Sequence, residues 1–214
     1  MSTKAKAALV VAGIGLVALI AWAGTTGSEL TSANAQKEET TFGDLATDAL
    51  CDAASTTIGL IPAVSFKSGS IPAGEVTEAQ VSGLLTQPDE KWAVVGLTGA
   101  ELLLTLERSV SRAPMPNAGF LQVSGLTLTY NPDAPRDERI VSLMVSGRPV
   151  QAGEKYEVAM PLSLAKGGSG YFLIFGEDDI VRTGEDRMAA LIVRFVDAKG
   201  SVNYPGQGRI IVSR

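Results

Sequence analysis

The feature that most constrains the fold is a stretch of β-forming residues in the middle of the chain, at positions 119–132. Two short β-rich runs flank the pair Ser124-Gly125, and the second run alternates between apolar and polar residues before the turn pair Asn131-Pro132. Runs of this length, bounded by turn residues, favour strands. The pattern therefore predicts the centre of a sheet, not a catalytic loop.

Further helix and strand patterns surround this stretch. Threonine capping sequences followed by apolar residues at helical spacing predict helices at 41–53, 77–85, 98–110 and 183–195. Apolar or β-branched runs predict strands at 57–64, 92–97, 120–123, 126–130, 140–145, 156–160 and 208–212. Short connections such as 146–149 predict hairpins. The expected fold class is α+β, with helices packed on a mixed sheet.

The N-terminal residues 7–23 form an uncharged apolar run behind Lys4 and Lys6, with Trp22 near its end. A helix of about 17 residues would be roughly 25 Å long, which is just within the range for a transmembrane helix. The run is therefore interpreted as a membrane anchor or as a signal peptide, cleaved after a small-residue pattern at 21–23 or 33–35. Either interpretation places the rest of the chain outside the cytoplasm.

The expected organisation has three parts: residues 1–24 as the anchor or signal peptide, 25–40 as a linker, and 41–214 as one folded domain. The linker assignment rests on a composition rich in Gly, Ser, Thr and charged residues without apolar periodicity. A domain of this length is large enough for one core.

The residue inventory excludes several classes of function. The chain contains no histidine, so a Ser-His-Asp triad and histidine-containing metal sites are impossible within these 214 residues. A net charge of −5 without a basic cluster argues against nucleic-acid binding. The single cysteine, Cys51, has apolar neighbours and is interpreted as a small buried hydrophobic residue.

Four short segments together resemble the C-terminal domain of the 5′-nucleotidase family, which binds the base and ribose of the nucleotide. The segments, in chain order, are Phe-Gly-Asp-Leu-Ala-Thr-Asp-Ala at 42–49, Leu-Thr-Gly-Ala-Glu-Leu at 97–102, Gly-Phe-Leu-Gln-Val-Ser-Gly-Leu at 119–126 and Ala-Lys-Gly-Gly-Ser-Gly-Tyr at 165–171. The resemblance implies a domain of that fold between about residues 41 and 213.

The resemblance also implies where a nucleotide would bind, through Phe120, Lys67 and the loop residues Gly167, Gly168 and Ser169. In the family two aromatic rings sandwich the base and a loop aspartate holds the ribose. Here Phe120 matches the first ring, whereas serines stand at the second ring position, Ser163, and at the aspartate position, Ser169. Where the family has Asn-Gly-Gly-Gly-Ile-Arg on the phosphate side, residues 62–67 read Pro-Ala-Val-Ser-Phe-Lys. Nucleotide binding is therefore expected to be weak or absent.

Another candidate site for an acidic group or phosphate consists of four arginines, Arg108, Arg112, Arg136 and Arg139. The alternative is that these arginines are solvated or pair with nearby acidic residues.

The combined expectation is a non-catalytic accessory subunit of a larger membrane protein complex. It would be anchored in the lipid bilayer by residues 7–23, with its N-terminus in the cytoplasm and its folded domain in the periplasm or another extracytoplasmic space. No catalytic residue, metal site or cofactor is expected. The alternative is a nucleotide- or nucleoside-binding module, or the detached half of a split 5′-nucleotidase.

Overall fold

The computed structural model describes residues 24–213, which form five helices and fourteen strands. The helices are α1 Thr41–Ala54, α2 Glu78–Leu84, α3 Gly99–Val110, α4 Leu162–Ala165 and α5 Met188–Lys199. The strands are β1 Thr25–Thr26, β2 Leu30–Thr31, β3 Ile58–Pro62, β4 Ser70–Ile71, β5 Gly74–Glu75, β6 Trp92–Thr98, β7 Leu121–Ser124, β8 Leu126–Tyr130, β9 Ile140–Val145, β10 Arg148–Pro149, β11 Lys155–Pro161, β12 Ile180–Gly184, β13 Ser201–Val202 and β14 Ile210–Val212.

Two larger sheets carry the architecture. The first is mixed, with strand order β12-β6-β11-β3-β7, and the second has the order β10-β9-β8-β14. Helix α1 packs against β3, β7, β11 and α5, while α3 packs against β6 and β9. All five residues of β3 are buried, as their continuous apolar run predicts. The predicted α+β class, with helices packed on a mixed sheet, is confirmed.

Local capping signals predicted two helix starts correctly. Thr77 is the N-cap of α2 and Thr98 is the N-cap of α3, and in both cases the side chain three residues later completes a capping box. The N-cap of α1 is Thr40, one residue before the predicted cap Thr41, because the Oγ1 of Thr40 accepts the Gly43 amide at 3.1 Å. The predicted cap at Thr183 is wrong: this residue lies in β12, whose backbone pairs with β6, and α5 begins only at Met188.

The pair Ser124-Gly125 is the point at which the chain leaves one sheet and enters the other. Strand β7 is the edge of the five-stranded sheet, and β8 lies inside the four-stranded sheet. Gly125 has a φ of 74°, and a Cβ there would lie 1.7 Å from the Thr57 carbonyl oxygen. Only glycine fits this turn, since both the backbone conformation and the space exclude a side chain. Stretch 119–132 therefore joins two sheets and is not the centre of one.

The predicted linker at 25–40 is wrong, because this segment is folded onto the domain. Strand β1 pairs with β13 and β5, β2 pairs with β4, and the side chains of Leu30 and Ala35 are buried. The low apolar content of this segment is typical of a linker. Its strands are nevertheless ordered, because backbone hydrogen bonds to distant parts of the chain hold them. Within the described residues the folded domain therefore begins at about Gly24, not at Thr41.

Gln122 of β7 fixes the end of this segment. Its side chain is fully buried, and its Nε2 donates to the carbonyl oxygens of Ala35 and Glu38 at 3.1 and 2.8 Å. Its Oε1 accepts the Thr40 amide and hydroxyl at 2.8 and 3.1 Å. One amide group thus satisfies several buried polar groups at the start of α1.

A cluster of charged residues, which we call the polar junction, joins α1 to the C-terminal strand. It comprises Glu39, Asp44, Asp48 and Arg209. Both oxygens of Asp48 accept from the Arg209 guanidinium at 2.9 Å, and the same guanidinium donates to the Val123 carbonyl at 2.9 Å. The Glu39 carboxylate accepts the backbone amides of residues 207, 209 and 210. These bonds hold the start of β14 against α1 and β7.

Asp44 is the unsatisfied member of the polar junction. Its side chain is 0% exposed, and neither carboxylate oxygen has a hydrogen-bond partner among the described residues. The Nε of Arg209 is 3.6 Å from Oδ1 of Asp44, so the two groups are not hydrogen-bonded. Burial, together with the nearby carboxylates of Glu39 and Asp48, raises the pKa of Asp44 to about 8 despite the opposing charge of Arg209.

Two sequence expectations concern single features. Cys51 is buried, as predicted, and burial raises the pKa of its thiol to about 11. The predicted membrane anchor at residues 7–23 lies outside the described residues. Among residues 24–213, none of the helices has the length and apolar composition needed to cross a bilayer.

We expect Gln122→Leu to lower the free energy of unfolding by about 3 kcal/mol or more, because it leaves several buried polar groups without partners. Urea unfolding of the full chain measures the change. The matched control is Gln87→Leu, since the Gln87 side chain is exposed. An equal effect of the two substitutions would show that the Gln122 amide does not hold the segment.

We expect the contribution of Asp44 to stability to fall as the pH rises from about 4 to about 8. The folded state keeps the Asp44 proton throughout this range, whereas the unfolded state releases it near pH 3.8, so rising pH favours unfolding. Asp44→Asn should therefore gain stability relative to the wild type between pH 5 and 8, on the order of a few kcal/mol.

The measurement is urea unfolding of both proteins at pH 5 and pH 8, with the exposed Asp52→Asn on the same helix as the control. If the difference between Asp44→Asn and wild type stays constant with pH, Asp44 does not titrate as described.

Candidate functional site

The residues predicted to meet a nucleotide gather at one edge of the five-stranded sheet. Strands β3 and β11 are parallel, so their carboxyl ends lie at the same edge, and β7 runs antiparallel to β3 and begins there. Phe120 precedes β7, Lys67 follows the short 3-10 turn after β3, and the loop 166–171 follows β11 and α4. The sheet topology thus brings together three segments that are far apart in the sequence.

Phe120 does not present its ring at this edge. Its side chain is 1% exposed and belongs to the hydrophobic core. Its backbone carbonyl accepts the Ala63 amide at 2.7 Å, and the preceding Ala118 carbonyl accepts the Val64 amide at 2.9 Å. Since stacking on a base requires an accessible ring face, Phe120 in this conformation has no face to offer.

The glycine loop 166–171 is built as a tight turn. Gly167 has a φ of 82° and Ser169 a φ of 57°, both in the left-handed region. Gly168 lies against the backbone of α4, since a Cβ there would be 2.5 Å from the Ser163 carbonyl oxygen. The exposed Ser169 side chain has no hydrogen bond among residues 24–213. The conformation of the loop is therefore explained by packing, without a ligand.

Tyr171 ties the loop to the segment before β7. Its ring is fully buried, stacks on Phe175 at 5.6 Å between centroids, and its hydroxyl donates to the Gly119 carbonyl at 2.7 Å. Burial raises the pKa of Tyr171. The Arg108 guanidinium lies 5.5 Å from the Tyr171 ring centroid and donates to the Ser169 carbonyl at 3.1 Å. These contacts fix the position of the loop.

The remaining predicted positions are exposed side chains. Lys67 is exposed, and its backbone amide donates to Leu84 at 2.9 Å. Ser163 is exposed on α4, and its backbone amide donates to Oε1 of Glu90 at 2.8 Å. Lys166 forms an ion pair with Glu177 at 2.8 Å. These predicted positions, one lysine and two serines, supply hydrogen-bonding groups but no aromatic ring.

No cluster of acidic or cysteine side chains suited to a metal ion occurs within residues 24–213. The expectation of no metal site concerns the whole chain and stays a prediction. The chemistry available at the sheet edge is hydrogen bonding by backbone amides and hydroxyl groups, with positive charges at Lys67 and at Lys166, which is paired with Glu177.

The four candidate arginines separate into two roles. Arg139 is structural: its Nη1 donates to the carbonyls of Val110 and Ala113 at 2.7 and 2.8 Å, which caps the end of α3. The carboxylate of Glu107 accepts the amides of residues 139 and 140 in return. Arg108, Arg112 and Arg136 instead line a surface cleft with Leu104 and Leu173.

Sequence reasoning missed the polar junction and the Arg139 cap. Asp44 and Asp48 are four residues apart on α1, which places them on the same side of the helix, but no local signal identifies Arg209 as their partner. The sequence does not distinguish Arg139 from the other arginines, because it does not show that the loop 131–139 folds back onto α3.

Comparison with known proteins agrees with this fold. A 5′-nucleotidase of Homo sapiens is 32% identical over 126 residues, which cover 55% of this chain and 22% of the human protein. A snake venom 5′-nucleotidase of Naja atra is 28% identical over 125 residues, covering 55% of this chain and 23% of the venom protein. The aligned region thus amounts to less than a quarter of either relative.

Solved structures extend the similarity to most of the chain. The 5′-nucleotidase precursor of Thermus thermophilus superposes with a TM-score of 0.80 at 26% identity, over 88% of this chain and 39% of that one. The NAD nucleotidase of Haemophilus influenzae shares the fold, with a TM-score of 0.74 at 15% identity, over 89% of this chain and 38% of that one. The sequence profile described as "5'-nucleotidase, C-terminal domain" matches residues 17–177. The chain therefore belongs to the 5′-nucleotidase C-terminal domain family.

Proposed function

We propose that this chain is a non-catalytic interaction module of a larger membrane protein complex, held at the bilayer by residues 7–23 with its folded domain outside the cytoplasm. In this role the family fold serves as a scaffold, and nucleotide binding is weak or lost. The partners are other subunits of the complex.

The observation that carries the proposal is the burial of Phe120. A ring with 1% exposure cannot stack on a base unless the core around it opens. Serine at position 163 supplies no second ring, and one lost stacking face costs about 1–3 kcal/mol per base. Ser169 replaces a charged acceptor for the ribose, a loss of about 1.5–3 kcal/mol. Together these losses amount to roughly two to four orders of magnitude in affinity.

The residue inventory supports the absence of catalysis in these 214 residues. Hydrolysis of a phosphate ester assisted by two metal ions needs a set of metal ligands, and this sequence contains no histidine. The activity for which the relatives are named belongs to proteins of which the aligned segment is less than a quarter.

Exposed apolar side chains support a role in binding other proteins. Phe172 and Leu173 follow the glycine loop and are 69% and 84% exposed, and Met115 is 62% exposed. Single exposed apolar residues are common on soluble proteins, but large apolar side chains on neighbouring loops are typical of contact surfaces.

A nucleoside-binding module, or the detached half of a split 5′-nucleotidase, is the second candidate function. The observation in its favour is that the segment before β7, which ends in Phe120, still contacts the loop 166–171 through the hydrogen bond from Tyr171 to Gly119. A change in the loop that uncovers Phe120 would restore one stacking face.

We expect calorimetric titration of the full chain with adenosine and with AMP to give no saturable heat up to millimolar concentration, because neither a stacking sandwich nor the ribose acceptor is present. The test variant is Lys67→Ala, and the matched control is Lys155→Ala at the opposite end of β11, also exposed. Saturable binding that is lost in Lys67→Ala and kept in Lys155→Ala would establish the second candidate function instead.

We expect the chain to co-purify with other membrane subunits in stoichiometric amount when it is isolated from its native membranes in mild detergent. Chemical cross-linking followed by mass spectrometry identifies the contacting peptides, which should include the loop that carries Phe172 and Leu173. Recovery of only a free monomer, with no cross-linked neighbour, would contradict the accessory role.

A further inference from the structure

We propose that a cleft at the C-terminal end of α3 binds the phosphate group of a small, partly apolar molecule; of the glycine loop described above, the cleft includes Gly170. The arginine cleft, as we call it, is lined by Leu104, Arg108, Arg112, Arg136, Leu173 and Ile174 among others and has a volume of about 500 Å³. This volume is within the range of small-molecule sites. Neither Phe120, Lys67 nor Ser163 lines it.

The three arginines of the cleft are not neutralised by the described chain. Arg182, Arg187, Arg194 and Arg209 each form an ion pair with a carboxylate. Among residues 24–213, no carboxylate lies within ion-pair distance of Arg108, Arg112 or Arg136. Asp137 is the acidic residue in the lining, so three positive charges face one negative charge.

Helix capping does not account for these arginines. A cation near a helix C-terminus commonly compensates the exposed carbonyl groups. Here the carbonyls of Val110 and Ala113 already accept from Arg139, and those of Arg108 and Ser109 accept from the side-chain amide of Asn117. The guanidinium groups of Arg112 and Arg136 make no hydrogen bond to the described residues and are exposed to solvent.

The surrounding structure holds the cleft in shape. Arg139 fastens the loop 131–139 to the end of α3, and this loop carries Arg136. Arg108 is held by the Ser169 carbonyl and lies over the Tyr171 ring. Gly170 permits this approach, since a Cβ there would lie 1.9 Å from an Arg108 nitrogen. The positive charges thus come from segments that are themselves fixed.

The lining also indicates the chemistry of the ligand. Guanidinium groups donate parallel hydrogen bonds to the oxygens of a phosphate, and three of them favour a doubly charged group. Leu104 and Leu173 are 51% and 84% exposed and supply an apolar wall beside these charges. A phosphate monoester with an apolar substituent would place its phosphate on the arginines and its substituent against the two leucines.

The test uses phenyl phosphate and inorganic phosphate as probes, titrated into the full chain and followed by calorimetry. We expect phenyl phosphate to bind with a dissociation constant of about 1 mM or lower, and at least several-fold more tightly than inorganic phosphate, because it also covers the apolar wall. The double variant Arg112→Gln/Arg136→Gln should weaken phenyl phosphate binding about tenfold or more.

The matched control is Arg148→Gln, since Arg148 is exposed, lies outside the cleft and forms no ion pair within the described residues. If Arg148→Gln weakens phenyl phosphate binding as much as the double variant does, the effect comes from the overall surface charge, and the proposal is wrong. The proposal is also wrong if phenyl phosphate does not bind at about 10 mM, roughly ten times the expected dissociation constant.

Equal affinity for the two probes would overturn the apolar part of the proposal. A third probe, polyglutamate, distinguishes a small-molecule site from a protein contact. If polyglutamate binds through Arg112 and Arg136 and phenyl phosphate does not bind, the cleft is a docking surface for an acidic protein segment. The proposal is then wrong. The proposed accessory function is tested separately, by co-purification and cross-linking, although the two proposals share Leu173, which lines the cleft and lies in the loop expected to contact a partner.

Discussion

The structure depends most on the buried guanidinium group of Arg209. This group bonds both oxygens of Asp48 on α1 and the Val123 carbonyl on β7, while the backbone on either side of it is held by Glu39. The Arg209 side chain is only 14% exposed, so breaking its pair with Asp48 would leave an uncompensated charge in the interior at a cost of about 3–5 kcal/mol. The C-terminal strand, α1 and both large sheets meet at this point.

The segments that resemble the family contain residues that hold the fold together, so their presence does not by itself imply a ligand site. Gln122, in the middle of the segment 119–126, uses its whole amide to hold residues 35–40. Gly125 turns the chain from one sheet into the other, and Tyr171 ties the glycine loop to Gly119. These residues have structural tasks that persist whether or not a nucleotide binds, which is consistent with a family fold that serves as a scaffold.

Much of the fold could be predicted from local signals, and the failures share a physical cause. The capping boxes at Thr77 and Thr98 act within four residues, so the sequence displays them directly. The strands of residues 25–31 are two residues long and depend on β4, β5 and β13 for their hydrogen bonds, so their own sequence resembles a linker. Thr183 has the residue pattern of a cap, yet pairing with β6 extends the backbone there.

The sequence by itself determined the absence of histidine, the serines at positions 163 and 169, and the order of the family segments, since these are matters of residue identity. Only the tertiary structure decided that Phe120 is buried, that Arg139 caps α3, and that Arg108, Arg112 and Arg136 share a cleft. The physical reason is that exposure and charge pairing depend on contacts between residues far apart in the chain. A local sequence pattern shows which side chain is present. Whether that side chain is buried, neutralised by an ion pair or left exposed depends on contacts that only the fold creates.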